Sequence, residues 1–149
     1  MSESAPVLVG FDGREESEIA FAEAVSEART RGVGLVVLVV AGLPPEVGDP
    51  LLPGGIGVGA FPEITPDGPV EIEPLVKRAR EKLEATGLEG RVEWSLGDPA
   101  SEIVRIADEV DACAIVVGTH HHSALSRFFG GDVAASVVRH AHRDVVVAR

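Results

Sequence analysis

The sequence predicts a three-layer α/β fold, a doubly wound parallel sheet of five strands with helices on both faces. Three observations lead there. Short apolar runs recur along the chain, amphipathic segments of helical spacing separate them, and two of the runs are continuously apolar and β-branched, as in strands covered on both sides.

The elements follow in order. Val7–Asp12 (VLVGFD) is an apolar run closed by Asp-Gly, a buried strand and a sharp turn. Glu15–Arg31 places Ile19, Ala20, Ala24, Val25 and Ala28 on one side and gathers acids at its start, where the helix dipole favours them; Gly32 ends it. Val33–Ala41 (VGLVVLVVA) is the second strand. Gly42–Pro69 breaks the rhythm: half of its 28 residues are glycine or proline, including seven of the chain's ten prolines. Such a stretch sustains neither a helix nor a central strand, so it is expected to be an irregular surface excursion, either a lid over a site or an insertion without a role.

Regularity returns with a helix at about Val70–Thr86, turning Leu75, Val76, Ala79 and Leu83 inward and ended by Gly87. Arg91–Leu96 alternates as a strand, with Val92, Trp94 and Leu96 on one face. Gly97-Asp98-Pro99 is a turn with Pro99 placed for the first position of the next helix, Ala100–Val110, whose inner face is Ile103, Ile106, Ala107 and Val110. Asp111–Gly118 is a strand, 119–130 a polar loop, Asp132–His140 a helix with Val133, Ala134, Val137 and Val138 inward, and Asp144–Ala148 the last strand. Strands and helices that alternate in this way form a parallel sheet with right-handed crossovers. Strand order 3-2-1-4-5 is the expectation from the fold class, and it sets Asp12 and Gly118 face to face at the switch point where such sheets bind ligands.

Bulk composition narrows the function. The chain has the length of one domain, 1–149, with the excursion at 42–69. A net charge of −11 argues against a nucleic-acid partner and against small anions, unless a local device offsets it. The longest apolar stretch, Gly32–Leu43, is too short to span a membrane, and the start MSESAPVLVG lacks a secretory pattern, so a cytoplasmic location is expected. The single cysteine, Cys113, forms no intrachain disulfide and reads as a small buried hydrophobe.

The chemistry concentrates in the loop after Gly118. Gly130-Gly131 open a helix whose free N–H groups and positive end suit phosphate, although glycines at such junctions also serve plain turning. His120–His122 could ligate a metal, but three consecutive histidines rarely converge on one ion, and His140 and His142 fall at the opposite end of the sheet; no metal site is expected. Phe21 and Trp94 read as core, and Phe128 and Phe129 as cover for the core or for a dimer partner. Neither a Gly-x-Ser-x-Gly elbow nor a Walker loop is present, so no catalytic residues are assigned.

Several segments together carry a resemblance: VLVGFDG from Val7 to Gly13, GDPASEI from Gly97 to Ile103, IVVGTH from Ile115 to His120, SALSR from Ser123 to Arg127, the Gly131-x-Val133-Ala134 pattern, and DVVV from Asp144 to Val147. In these the chain resembles the universal stress protein family over nearly its whole length, the Gly/Pro-rich segment excepted. The resemblance implies an adenine nucleotide alpha hydrolase-like fold and a homodimer joined through the last strand, here Val145, Val146 and Val147. It further implies ATP or another adenine nucleotide as ligand for members that keep the motif Gly-x2-Gly-x9-Gly-(Ser/Thr). In the family pattern Asp12 and Val40 lie near base and ribose, and the motif wraps the phosphates. The candidate nucleotide-binding set is Phe11, Asp12, Val40, Gly97, Gly118, His120, His121, Arg127, Gly131, Asp132 and Val133.

Gly118 and Gly131 keep the motif's first and third glycines, whereas His121 replaces the second and Asp132 the closing hydroxyl residue. The imidazole adds bulk where backbone should approach a phosphate, and the carboxylate repels it. Asp132 is also a good helix cap, able to occupy the N–H groups that a phosphate would use. Arg127 and partly protonated histidines act in the opposite direction. The expectation is therefore a stress-response dimer acting by binding or regulation, with weak or no ATP binding and room for an unidentified protein partner. The alternative is a functional ATP- or AMP-dependent switch; slow hydrolysis would rest only on the histidines and the shared fold.

Overall fold

The computed structural model describes residues 4–41, 64–66, 68–69, 71–119 and 133–149. The main sheet contains β1 (Val7–Gly10), β2 (Leu35–Ala41), β5 (Gly90–Leu96), β6 (Ala114–Gly118) and β7 (Asp144–Ala148), in the order β5-β2-β1-β6-β7 with every neighbouring pair parallel. Counted along the chain, these five strands run 3-2-1-4-5, as expected. Between them lie helices α1 (Glu15–Arg31), α2 (Glu73–Thr86), α3 (Pro99–Glu109) and α4 (Val133–His140).

Alternation along β1 and β2 splits the core into two layers. Val7, Val9, Leu35, Val37 and Val39 face one side with Phe21, Ala24, Val76 and Leu83 of α1 and α2. Leu8, Val36 and Leu38 face the other with Ile103, Ile106, Ala134 and Val137 of α3 and α4. A strand buried on both faces has no polar side to alternate with, which is why these runs are continuously apolar.

Helix α1 has the expected bounds, and Gly32 closes it at φ +66° with its N–H turned back to the Arg29 carbonyl. Its buried stripe is Ser17, Ala20, Phe21, Ala24, Val25 and Ala28, the alternating steps of three and one that keep to one helical face. Ile19, expected inside, falls off that stripe and is 40% exposed. The same correction applies to Val138: α4 buries Ala134 and Val137, and one residue on, about 100° around the helix, Val138 is 52% exposed. Helix α3 begins with Pro99 at its first position under an Asp98 cap, whose carboxylate accepts the Ser101 N–H at 3.0 Å.

Several boundaries shift. β1 ends at Gly10, although the Phe11 N–H still donates to the Leu38 carbonyl at 2.9 Å. α2 starts at Glu73 rather than near Val70, because Pro69 lies in a strand and its carbonyl takes the Ile72 N–H in a turn. β6 begins at Ala114, after Asp111 has turned through φ +54°. Cys113, at its amino end, is half-buried rather than buried.

The 42–69 excursion is not irregular throughout. β3 (Ile64–Thr65) and β4 (Gly68–Pro69) form a two-residue antiparallel ladder. The Trp94 indole N–H donates to the Pro66 carbonyl at 3.1 Å, and Thr65 Oγ1 donates to Glu73 at 2.5 Å. The ladder is thereby fastened to β5 and to the start of α2. Residues 42–63 lie outside the described residues.

At the amino end of β7, Arg143 donates to Asp111 at 3.0 Å and to the Ala112 carbonyl at 2.7 Å, and pairs with Asp108 at 3.2 Å. This ties the edge strand to the turn between α3 and β6.

Candidate functional site

At the carboxyl ends of β1, β2 and β6 the described residues enclose a cavity of about 130 Å³. It is lined by Gly10, Phe11, Asp12, Glu16, Ser17, Leu38, Val40, Pro99, Ile103, Val117, Gly118 and Val133. This is the switch point, where the chain passes from β1 outward to β2 on one side and β6 on the other.

One wall is the turn from β1 into α1. Asp12 Oδ1 accepts the Arg14 N–H at 2.9 Å, Gly13 takes φ +77°, and Ser17 Oγ donates to the Arg14 carbonyl at 2.9 Å. These short-range bonds set the start of α1 beside the cavity. Ser17 is only 7% exposed, since its hydroxyl is satisfied locally and its small side chain fits the helix's inner stripe.

A second wall, adjoining the first, is the end of β6. A Cβ on Gly118 would stand 2.4 Å from the Glu16 carbonyl oxygen and 2.8 Å from its carbon, so α1 packs there directly on backbone. The floor is close too: a Cβ on Gly10 would meet Ile103 Cδ1 at 3.2 Å. Val40, from β2, and Val133, opening α4, complete the apolar part.

Of the sequence candidates, Phe11, Asp12, Val40, Gly118 and Val133 line this one cavity. Gly97 does not. Its N–H donates to the Ala41 carbonyl at 3.0 Å, its φ is +145°, and Glu102 packs against it with a carbon 3.1 Å from where a Cβ would be. That glycine lets the chain turn under Glu102, whose carboxyl is held below the usual range chiefly by hydrogen bonds from Arg105 at 2.6 and 3.1 Å. His120, His121, Arg127, Gly131 and Asp132 lie outside the described residues, as do His122, Phe128 and Phe129.

Sequence reasoning missed Gly10, Glu16, Ser17, Leu38, Pro99, Ile103 and Val117 as lining residues. On the sequence Pro99 and Ile103 read only as helix start and core; they reach the cavity because α3 brings Ile103 against Gly10 at the end of β1. Ser17 carried a usable signal, a polar residue on the apolar stripe of α1. Glu16 carried none.

Among the described residues no group of three or more His, Cys, Asp and Glu side chains is placed to hold a metal ion. His140 Nδ1 lies 2.9 Å from the Ser136 carbonyl and His142 Nδ1 3.6 Å from Asp108, both exposed and at the far end of the sheet from the cavity. No described helix is long and apolar enough to cross a membrane.

Comparison with known proteins bears on this arrangement. The model of the universal stress protein family matches residues 4–149. A universal stress protein of Staphylococcus aureus is 31% identical over 148 residues, covering 96% of this chain and 82% of its own length. Among solved structures, a universal stress protein from Archaeoglobus fulgidus superposes with a TM-score of 0.70 at 26% identity, covering 98% of this chain and 99% of that one. Another structure from Archaeoglobus fulgidus, solved in complex with dAMP, gives a TM-score of 0.66 at 29% identity, covering 99% of this chain and 100% of that one.

Proposed function

Since this chain belongs to the universal stress protein family, we propose that its crevice takes the nucleoside half of an adenine nucleotide and grips the phosphates weakly. The cavity between Asp12 and Gly118 carries this reading. At about 130 Å³ it is smaller than the ~300–1,000 Å³ that enclose a drug-sized ligand, and it is apolar apart from a few polar groups at the rim. A structural relative holds dAMP, an adenine nucleotide with one phosphate. His121 and Asp132 stand where the family motif has glycine and a hydroxyl residue, which weakens the case for a bound triphosphate.

Titration calorimetry on nucleotide-stripped protein tests this with adenosine, AMP and ATP. The expected result is binding of all three within about tenfold of one another, each phosphate adding little. ATP binding tighter than adenosine by more than that would overturn the weak phosphate grip. Absence of adenosine binding would overturn the nucleoside reading altogether and leave a protein-interaction role.

The biological unit in this proposal is a cytoplasmic homodimer that works in stress response by binding, without turnover. β7 supports it as an edge strand: it pairs with β6 on one side, and Val145, Val146 and Val147 are half-buried on a sheet edge available for a partner strand. Sedimentation at micromolar concentration should give a dimer, and Val146→Lys a monomer. A monomeric native protein would sink the strand-pairing proposal.

A further inference from the structure

We propose that Arg78 of α2 is a positioning residue for the turn Phe11–Asp12–Gly13, holding Asp12 where the nucleoside of the preceding proposal would meet it. The inference rests on that reading for its functional half only.

Arg78 makes three contacts with the β1–α1 junction. Its guanidinium carbon stands 5.7 Å from the centre of the Phe11 ring, its Nη1 donates to the Gly13 carbonyl at 3.4 Å, and its Nη2 pairs with the Glu18 carboxylate. Phe11 is 3% exposed, lines the cavity, and meets Phe21 edge-to-face at 6.3 Å. α2 lies hard against the turn: a Cβ on Gly13 would be 2.9 Å from Leu75 Cδ1 and 3.4 Å from Arg78 Nη1.

Glu18 does not need Arg78 for neutralisation. Lys82 reaches its other oxygen at 2.5 Å while resting 4.8 Å from the Phe21 ring centre. What Arg78 adds is the hold on Phe11 and on the Gly13 carbonyl, one residue to either side of Asp12. A planar guanidinium can lie over a ring and still donate sideways; an ammonium at the same place keeps the ion pair but not both other contacts.

Arg78→Lys and Arg78→Met separate this role from a surface ion pair, with ¹⁵N relaxation on the ligand-free protein as readout. In both variants the order parameters at the Gly13 and Arg14 amides should fall from about 0.85 toward about 0.6, while Val9 and Ile106 stay rigid. An unchanged turn, equal loosening at Val9, or full restoration of order by lysine overturns the proposal. Adenosine affinity should weaken about threefold to tenfold in both variants; a loosened turn with unchanged affinity also overturns the positioning role. If the native protein binds no adenosine, the nucleoside reading fails, and the relaxation data still decide whether Arg78 holds the turn.

Discussion

Gly118→Ala should lower the midpoint of thermal unfolding by roughly 6–12 °C, with no ligand involved. The added methyl would stand 2.4 Å from the carbonyl oxygen of Glu16, and backbone in the first turn of α1 cannot rotate away as a side-chain tip can. Relief requires α1 to slide off β6, parting the contacts of Ala20 and Ala24 with the sheet; overpacking of this kind costs about 3 kcal/mol. For a chain of this size, each kcal/mol moves the midpoint by about 2–4 °C. Gly10→Ala is the matched control. Its Cβ would meet only the flexible end of Ile103 at 3.2 Å, and about 1 kcal/mol or less is expected. Equal effects at the two positions in differential scanning calorimetry would refute the packing account. The glycine that opens the phosphate motif thus has a structural reason to be glycine, and its presence alone is weak testimony for a phosphate.

The second large effect concerns binding. Asp132→Ser combined with His121→Gly restores the family motif, and ATP should then bind at least tenfold more tightly. Two like charges ~4 Å apart repel by about 4 kcal/mol at an effective dielectric of 20, so removing the carboxylate sets an upper limit near a thousandfold. Screening by salt and by neighbouring cations lowers the realised gain to about one or two orders of magnitude. Adenosine, which carries no phosphate, should bind the double variant about as it binds the native protein. Calorimetry at fixed ionic strength reads both ligands; an unchanged ATP affinity would show that Asp132 and His121 are not what limits phosphate binding.

Much of the fold was legible because its signals are local or periodic. Gly32 and Gly87 marked helix ends through their left-handed backbone, Asp98-Pro99 marked a helix start, and continuous valine runs marked strands covered on both faces. Ile19 and Val138 were misread because adjacency in sequence to buried Ala20 and Val137 does not put a residue on the same helical face. The ladder at 64–69 was invisible in a segment where proline and glycine dominate, since what fastens it is distant: the Trp94 indole and Glu73.

For the site, Asp12 and Gly118 were readable from the fold rule, and Phe11, Val40 and Val133 entered through the family resemblance; all five line one cavity. Pro99 and Ile103 were not readable, because reaching the cavity depends on α3 packing against Gly10 at the end of β1, a tertiary fact with no periodic trace. Arg78 belongs to the same class. On the sequence it is one of several charges on α2, and only packing lays it over Phe11.

Trp94 is the chain's one tryptophan, and there is no tyrosine. Intrinsic indole emission therefore reports from a single place: the ring bonded to Pro66 and packed against Gly68, away from the lining of the crevice. A change in intensity or wavelength on adding a ligand would record movement of the fastened 64–69 ladder against β5. A ligand that settled between Asp12 and Gly118 without disturbing that ladder would be optically silent.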